Sequence, residues 1–208
     1  MTALSILFVG LLLGMKHATE ADHLAAVATL ATRQSSLAQT LRQGVAWGVG
    51  HTLTLMLFGA AVLLLGQVIS PDLEQALETA VGIMLVLLGA DVLRRLVRAH
   101  RHAHPKRWPL RALTVGMMHG LAGSAALVVL TLQTIPSVGL GVGYIVLFGV
   151  GSIVGMALLS VVIAIPLRLS SAYLTRAHHT VTALVGVFTC ALGIVMVLEI
   201  GYLKALIG

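Results

Sequence analysis

Six apolar stretches, each long enough to cross a bilayer, leave this chain few ways to fold. They cover about residues 3–31, 44–69, 77–96, 112–132, 139–167 and 180–206. Roughly twenty consecutive apolar residues span the hydrocarbon core as an α-helix. In lipid the backbone must satisfy its own hydrogen bonds, which a helix does within one segment. The expectation is an all-α polytopic membrane protein with six transmembrane helices. Of 208 residues only 10% are charged and 58% are hydrophobic, against about 25% charged in an ordinary soluble domain. Nothing in the chain reads as a separate soluble domain.

A net charge of +6 would suggest nucleic acid in a soluble protein. Here the basic residues lie between the apolar stretches, so they read as topology, and no nucleic-acid partner is expected. The loops after the first, third and fifth stretches hold Arg33 and Arg42; Arg94, Arg95, Arg98, Arg101, Lys106, Arg107 and Arg111; and Arg168 and Arg176. The opposite side holds only Lys204. Basic loops stay cytoplasmic. This predicts both termini outside, the linker 98–111 inside, and the bacterial cytoplasmic membrane as the location. The first apolar run lacks the basic leader of a cleaved signal peptide and is read as a span. Cys190 is the single cysteine, so no intrachain disulfide forms, and it reads as a small core residue.

An internal repeat runs through the chain. Gly14-Met15-Lys16-His17 matches Gly116-Met117-Met118-His119, an offset of 102 residues (116 − 14). Trp47-Gly48-Val49-Gly50-His51 matches Phe148-Gly149-Val150-Gly151-Ser152, an offset of 101 (148 − 47). Val81-Gly82 and Gly89 match Val185-Gly186 and Gly193, an offset of 104 (185 − 81). The unit has three spans, an odd number, so the second copy enters the membrane inverted. The expected organisation is a three-helix half over 1–97, a His-rich basic linker over 98–111, and a second half over 112–208. Inverted repeats with a site near the midplane recur among secondary transporters.

The first stretch carries the chemistry. Lys16-His17-Ala18-Thr19-Glu20-Ala21-Asp22-His23-Leu24 puts five ionisable side chains into nine residues, near the middle of a span. Charges at that depth are costly and mark function. Two histidines and two carboxylates exceed what helix packing requires, and the reading is a transmembrane site for a transition-metal ion. On an ideal helix Lys16, His17, Glu20 and His23 share one face, and Lys16 and Glu20 are spaced to pair. His17 and His23, however, stand about 9 Å apart along the axis, too far for bonds of about 2 Å to one ion. Either the helix is distorted between Ala18 and Ala21, or the site uses only part of the motif.

His51 and His119 are further candidate nitrogen ligands. The repeat pairs His119 with His17 at comparable depth, whereas His51 is matched by Ser152. Asp22 and Glu20 supply oxygen, and Lys16 holds Glu20. Thr52 and Ser124 read as supporting hydroxyls in the helix packing, and Met15, Met117 and Met118 as packing residues. Imidazole with carboxylate suits Ni²⁺, Co²⁺ or Zn²⁺, and the lack of thiolate disfavours Cu⁺. His100, His102 and His104 in the linker form a tract for auxiliary metal capture, or simply a solvated basic loop.

The segment from Lys16 to Leu24 resembles the signature of the nickel/cobalt transporter family, in which a basic residue precedes His-Ala and Asp-His follows after four residues. Val49-Gly50-His51-Thr52 resembles that family's second motif, and His119-Gly120-Leu121-Ala122-Gly123-Ser124-Ala125 resembles the small urease-accessory H-like branch. The resemblance implies a secondary permease for Ni²⁺ or Co²⁺ as transported substrate, with His17, Asp22 and His23 critical and His51 carried over from the second motif. Glu20 stands where larger members have Asp, and six spans replace eight.

The expectation is uptake of a divalent metal by alternating access, with no enzymatic activity and no tightly bound cofactor. A soluble metal chaperone and a second copy of the chain are the partners considered. The rivals are an exporter, a metal-delivery accessory protein and an intramembrane metalloenzyme. Neither a P-loop nor His-Glu-x-x-His occurs, which disfavours ATP hydrolysis and zinc-protease chemistry.

Overall fold

A computed structural model describes residues 2–32, 36–65, 70–98, 110–120, 137–173 and 175–207. All regular structure among them is helical: α1 (Ala3–His17), α2 (Ala21–Ala31), α3 (Leu37–Leu65), α4 (Pro71–Val97), α5 (Leu110–His119), α6 (Val138–Tyr173) and α7 (Thr175–Ile207). Local chemistry sets the starts of α1 and α4. The Thr2 hydroxyl accepts from Ser5 N. Ser70 caps α4, with Pro71, Asp72 and Glu74 in its first turn, which suit a position with free backbone N–H groups.

Helices α3, α4, α6 and α7 are each long and apolar enough to cross a membrane, and α1 with α2 qualify as one pair bent by 57°. That gives four to five candidate spans among the described residues. The stretch expected over 112–132 is described only as far as Gly120, where α5 has ended. His100, His102, His104 and Ser124 also lie outside the described residues. The outward faces are apolar, as with Leu184, Val187, Phe188, Val195 and Leu198 on α7.

Packing follows a reciprocal pattern. Helix α4 lies along α7 and α3 along α6, while α1 packs on α6 and α5 on α3. Small residues permit the contacts, as expected where helices approach closely in lipid. A Cβ on Gly14 would overlap the carbonyl of Phe148, and one on Gly116 would overlap the carbonyl of Trp47. The same exchange recurs where Gly82 meets Gly193 and Gly89 meets Gly186. Cys190 sits half-buried in this second interface, its Sγ 3.5 Å from Val86 O. Two apolar clusters result. One surrounds Trp47 with Ala26, Val27, Leu30, Leu85 and Met156; the other joins Phe148 to Leu55, Tyr144 and Ile145.

One ionic cluster ties α4 to α5. Asp91 is spaced to pair with Arg94 or Arg95 and pairs with both, at 3.3 and 3.2 Å, and also with Arg111 on α5 at 3.2 Å. The carboxylate is only 15% exposed whereas the arginines are 45–63% exposed, so solvent screens each pair. Asp91→Asn is expected to cost about 1 kcal/mol, read as a drop of about 2–4 °C in thermal unfolding in detergent.

Candidate metal centre

Of the two alternatives the histidine spacing left open, the structure shows the distorted helix. Helix α1 ends at His17 and α2 begins at Ala21. No Pro or Gly lies between them. The Thr19 hydroxyl and N–H both donate to Lys16 O, at 2.6 and 2.9 Å, and Glu20 N donates to His17 O at 3.1 Å. This tight turn ends α1. Glu20 then takes an extended conformation (φ −63°, ψ 150°) and its carbonyl accepts the first bond of α2. The bend folds the motif back on itself, and the His17 and His23 rings come to 4.4 Å between centroids. An unbroken helix would hold these residues about 9 Å apart along its axis.

Two further histidines complete the cluster. His51 stands at the middle of α3, its ring 5.1 Å from both His17 and His23. His119 is the last residue of α5, its ring 5.0 Å from His23. All four are at most 4% exposed. Ligand atoms of His17, His23 and His51 lie within 4.8 Å of one another, as do those of Asp22, His23 and His119. His23 belongs to both sets.

The carboxylates orient two of the rings. Glu20 Oε1 is 2.8 Å from His17 Nδ1, and Asp22 Oδ1 is 2.8 Å from His23 Nδ1. A carboxylate only accepts, so each Nδ1 donates, and in the neutral ring Nε2 is then the nitrogen with the lone pair. A histidine that ligates a metal commonly has its other nitrogen held this way. Asp22 Oδ1 also accepts from His23 N at 2.8 Å, and Oδ2 lies 3.7 Å from His119 Nε2. Among the described residues, the Nε2 atoms of His17 and His23 and both ring nitrogens of His51 are buried without a hydrogen-bond partner, and His119 Nε2 has only its 3.7 Å approach to Asp22. Burying such groups unsatisfied costs free energy. Four neutral imidazoles offer one lone pair each, a donor set that a cation would satisfy.

The expected Lys16–Glu20 pair is corrected. Its i, i+4 geometry needs a continuous helix, and α1 ends at His17. Lys16 is exposed, and the Glu20 carboxylate turns to His17 instead. Thr52 is a packing hydroxyl that donates to Gly149 O across the α3–α6 contact at 3.1 Å. Ser152, matched in sequence to His51, donates to Gly14 O at 3.3 Å. The sequence reading gave no role to Trp47, which stacks beside His23 and His119 at 5.3 and 5.5 Å. Its place four residues before His51, one helical turn away, was the available signal.

Four candidate spans and one bent helix pair around buried histidines fit one class, a helical membrane protein with an internal histidine cluster. The chain is 36% identical to the urease accessory protein UreH of Bacillus sp. (strain TB-90), over 98% of this chain and 95% of that one. It belongs to the family of that protein. It is also 28% identical to the chloroplast protein FOR GROWTH AND FERTILITY 1 of Arabidopsis thaliana, over 71% of this chain and 46% of that one. For FOR GROWTH AND FERTILITY 2 the figures are 25%, 65% and 40%, so the chain spans less than half of either plant protein. No family model and no solved structure matches. The expectation of a non-enzymatic chain accords with a relative described as an accessory protein.

Proposed function

We propose that this chain is a permease for a divalent transition-metal ion, with Ni²⁺ or Co²⁺ as its cargo. The observation that carries the reading is the convergence of unpartnered ring nitrogens from His17, His23, His51 and His119, on four helices, at the middle of α3. Imidazole nitrogens with nearby carboxylate oxygen suit these borderline ions. A site enclosed among apolar spans gives a resident ion no role at a surface, whereas cargo must pass through such a place. The description of UreH as a urease accessory protein supports nickel, since that description ties it to urease.

In this reading His17, His23, His51 and His119 bind the ion. Asp22 and Glu20 hold two of the rings and offset the charge. The chain forms six spans in two three-helix halves of opposite orientation, with both termini outside and the basic linker in the cytoplasm. The exchange of contacts between Gly14–Phe148 and Gly116–Trp47 supports that arrangement, because the repeat pairs these residues and an inverted two-fold would produce such reciprocity. Alternating access then moves the ion past a fixed midplane site.

The test is purified protein in liposomes that enclose a Ni²⁺-sensitive dye. The expected result is a saturable Ni²⁺ flux that is absent from empty liposomes. The relative's description as an accessory protein favours a second reading, metal delivery to a soluble partner. Stoichiometric Ni²⁺ binding without flux would establish it in place of transport. Net uptake or net extrusion in cells separates import from export. A further expected outcome concerns the carboxylates. Glu20→Gln and Asp22→Asn should each weaken Ni²⁺ binding about 10- to 100-fold, as for other partners that orient metal-bound histidine, measured by titration calorimetry in detergent.

A further inference from the structure

Two aromatic rings flank the metal centre at corresponding positions. Phe148 lies 5.5 Å from the His17 ring, and Trp47 lies 5.5 Å from the His119 ring. The sequence repeat matches Trp47 to Phe148 and His17 to His119, so these are the same contact made once by each half. Each ring belongs to a separate apolar cluster. Phe148 joins Leu55, Tyr144 and Ile145, against Ile6 near the start of α1. Trp47 joins Val27, Leu30 and Met156, toward the α2–α3 end. The histidines therefore lie between two plugs that face opposite ends of the bundle.

The Trp47 side also borders a small cavity. It lies beyond the indole and is lined by Val27, Leu30, Thr40, Gln43, Trp47 and Ser160. It offers about 10 Å³ to the centre of a water molecule, close to the least that holds one water. Besides Trp47, three of its lining side chains carry polar atoms: Thr40, Gln43 and Ser160. Gln43 Oε1 is buried without a partner. The Thr40 and Ser160 hydroxyls spend their protons on Ser36 O and Met156 O, leaving lone pairs free. Trp47 Nε1 is likewise buried and unpartnered, although an indole N–H normally finds an acceptor when buried. An indole held by packing alone can swing without breaking a hydrogen bond. Behind Phe148, the position matching Gln43 is Tyr144, its ring 6.4 Å from Phe148.

We infer that Trp47 and Phe148 are the two gates of the metal centre: Trp47 closes it toward the small cavity at the α2–α3 end, and Phe148 closes it toward the start of α1. The inference rests on the transport reading, which requires that the two ends never open together. Neither ring offers a metal ligand. Their removal should change who reaches the centre, not what the centre is.

The test places a reporter in the centre and approaches it from each face. The background is Cys190→Ala with His51→Cys, and the probe is a charged, membrane-impermeant methanethiosulfonate applied to spheroplasts and to inverted vesicles. Slow labelling is expected from both faces. Adding Trp47→Ala should speed labelling about tenfold from the α2–α3 face alone, and Phe148→Ala should do so from the opposite face alone, as when one lid is removed. Trp47→Phe should stay close to the background rate. Trp47→Leu and Phe148→Leu replace the alanine variants if those fail to fold. Acceleration from both faces by one variant, or from neither by either, would overturn the gates. The liposome flux of the unaltered protein is scored separately. Sided labelling without flux would leave the gates standing and remove the transport reading, whereas flux with unsided labelling would do the reverse.

Discussion

His23→Ala should abolish metal-dependent stabilisation of this protein while leaving the metal-free fold largely intact. His23 is the one histidine common to both donor sets, with His17 and His51 on one side and Asp22 and His119 on the other. Removing it leaves two separated fragments of a site. Loss of an orienting partner alone costs about 10- to 100-fold in affinity, so loss of the shared ligand should exceed about a hundredfold. A ligand at 100 times its dissociation constant stabilises the native state by about 2.7 kcal/mol. The unaltered protein should show that gain when Ni²⁺ is added, and His23→Ala should show none in the same titration. The metal-free cost should be small. The variant loses the bond to Asp22 but also removes Nε2, a buried nitrogen without a partner. Full stabilisation by Ni²⁺ in His23→Ala would show that the ion binds elsewhere.

Gly116→Ala is expected to be the most destabilising single-methyl change in the described bundle, together with Gly14→Ala. The added carbon at either position would overlap a backbone carbonyl of the facing helix, Trp47 O or Phe148 O. A backbone cannot swing aside as a side chain can, so α5 must move off α3, or α1 off α6. Overpacking of a close contact costs about 3 kcal/mol, a drop of about 6–12 °C in thermal unfolding for a chain of this size. The Gly116 shift would also displace His119, three residues further along α5, so Ni²⁺ affinity should fall with stability. Gly201→Ala is the control. Nothing lies within 4 Å of a Cβ there, and in a helix the change should stabilise by up to about 1 kcal/mol. Equal effects at Gly116 and Gly201 would refute the close approach.

Much of this was legible because the relevant physics is local. Run length alone defines α3, α4, α6 and α7. The break in the first span is one of two alternatives the sequence leaves open although no Pro or Gly marks it, because His17 and His23 cannot serve one ion from a straight helix. The same break misled the reading of Glu20. Its spacing from Lys16 is meaningful only within one helix, and α1 ends before Glu20 is reached. Trp47 was seen merely as part of a repeated Gly-rich segment. Its contact with His119 joins residues 72 positions apart (119 − 47), and no local pattern encodes such a contact. The Asp91 cluster was half legible for the same reason: Arg94 and Arg95 lie within one turn, whereas Arg111 arrives on another helix.

Where α1 and α5 stop has an electrostatic consequence. His17 is the last residue of α1 and His119 the last of α5, so two helix C-termini converge on the ring nitrogens. Each carries roughly half a negative charge, the sum of its aligned peptide dipoles. Together they place about one unit of negative charge beside the cluster, fixed in the backbone, about half of it opposed by the start of α2. The positive end of α2 also lies here, and Glu20 and Asp22 at its start screen it. A divalent cation would therefore meet backbone dipoles that favour it over an anion.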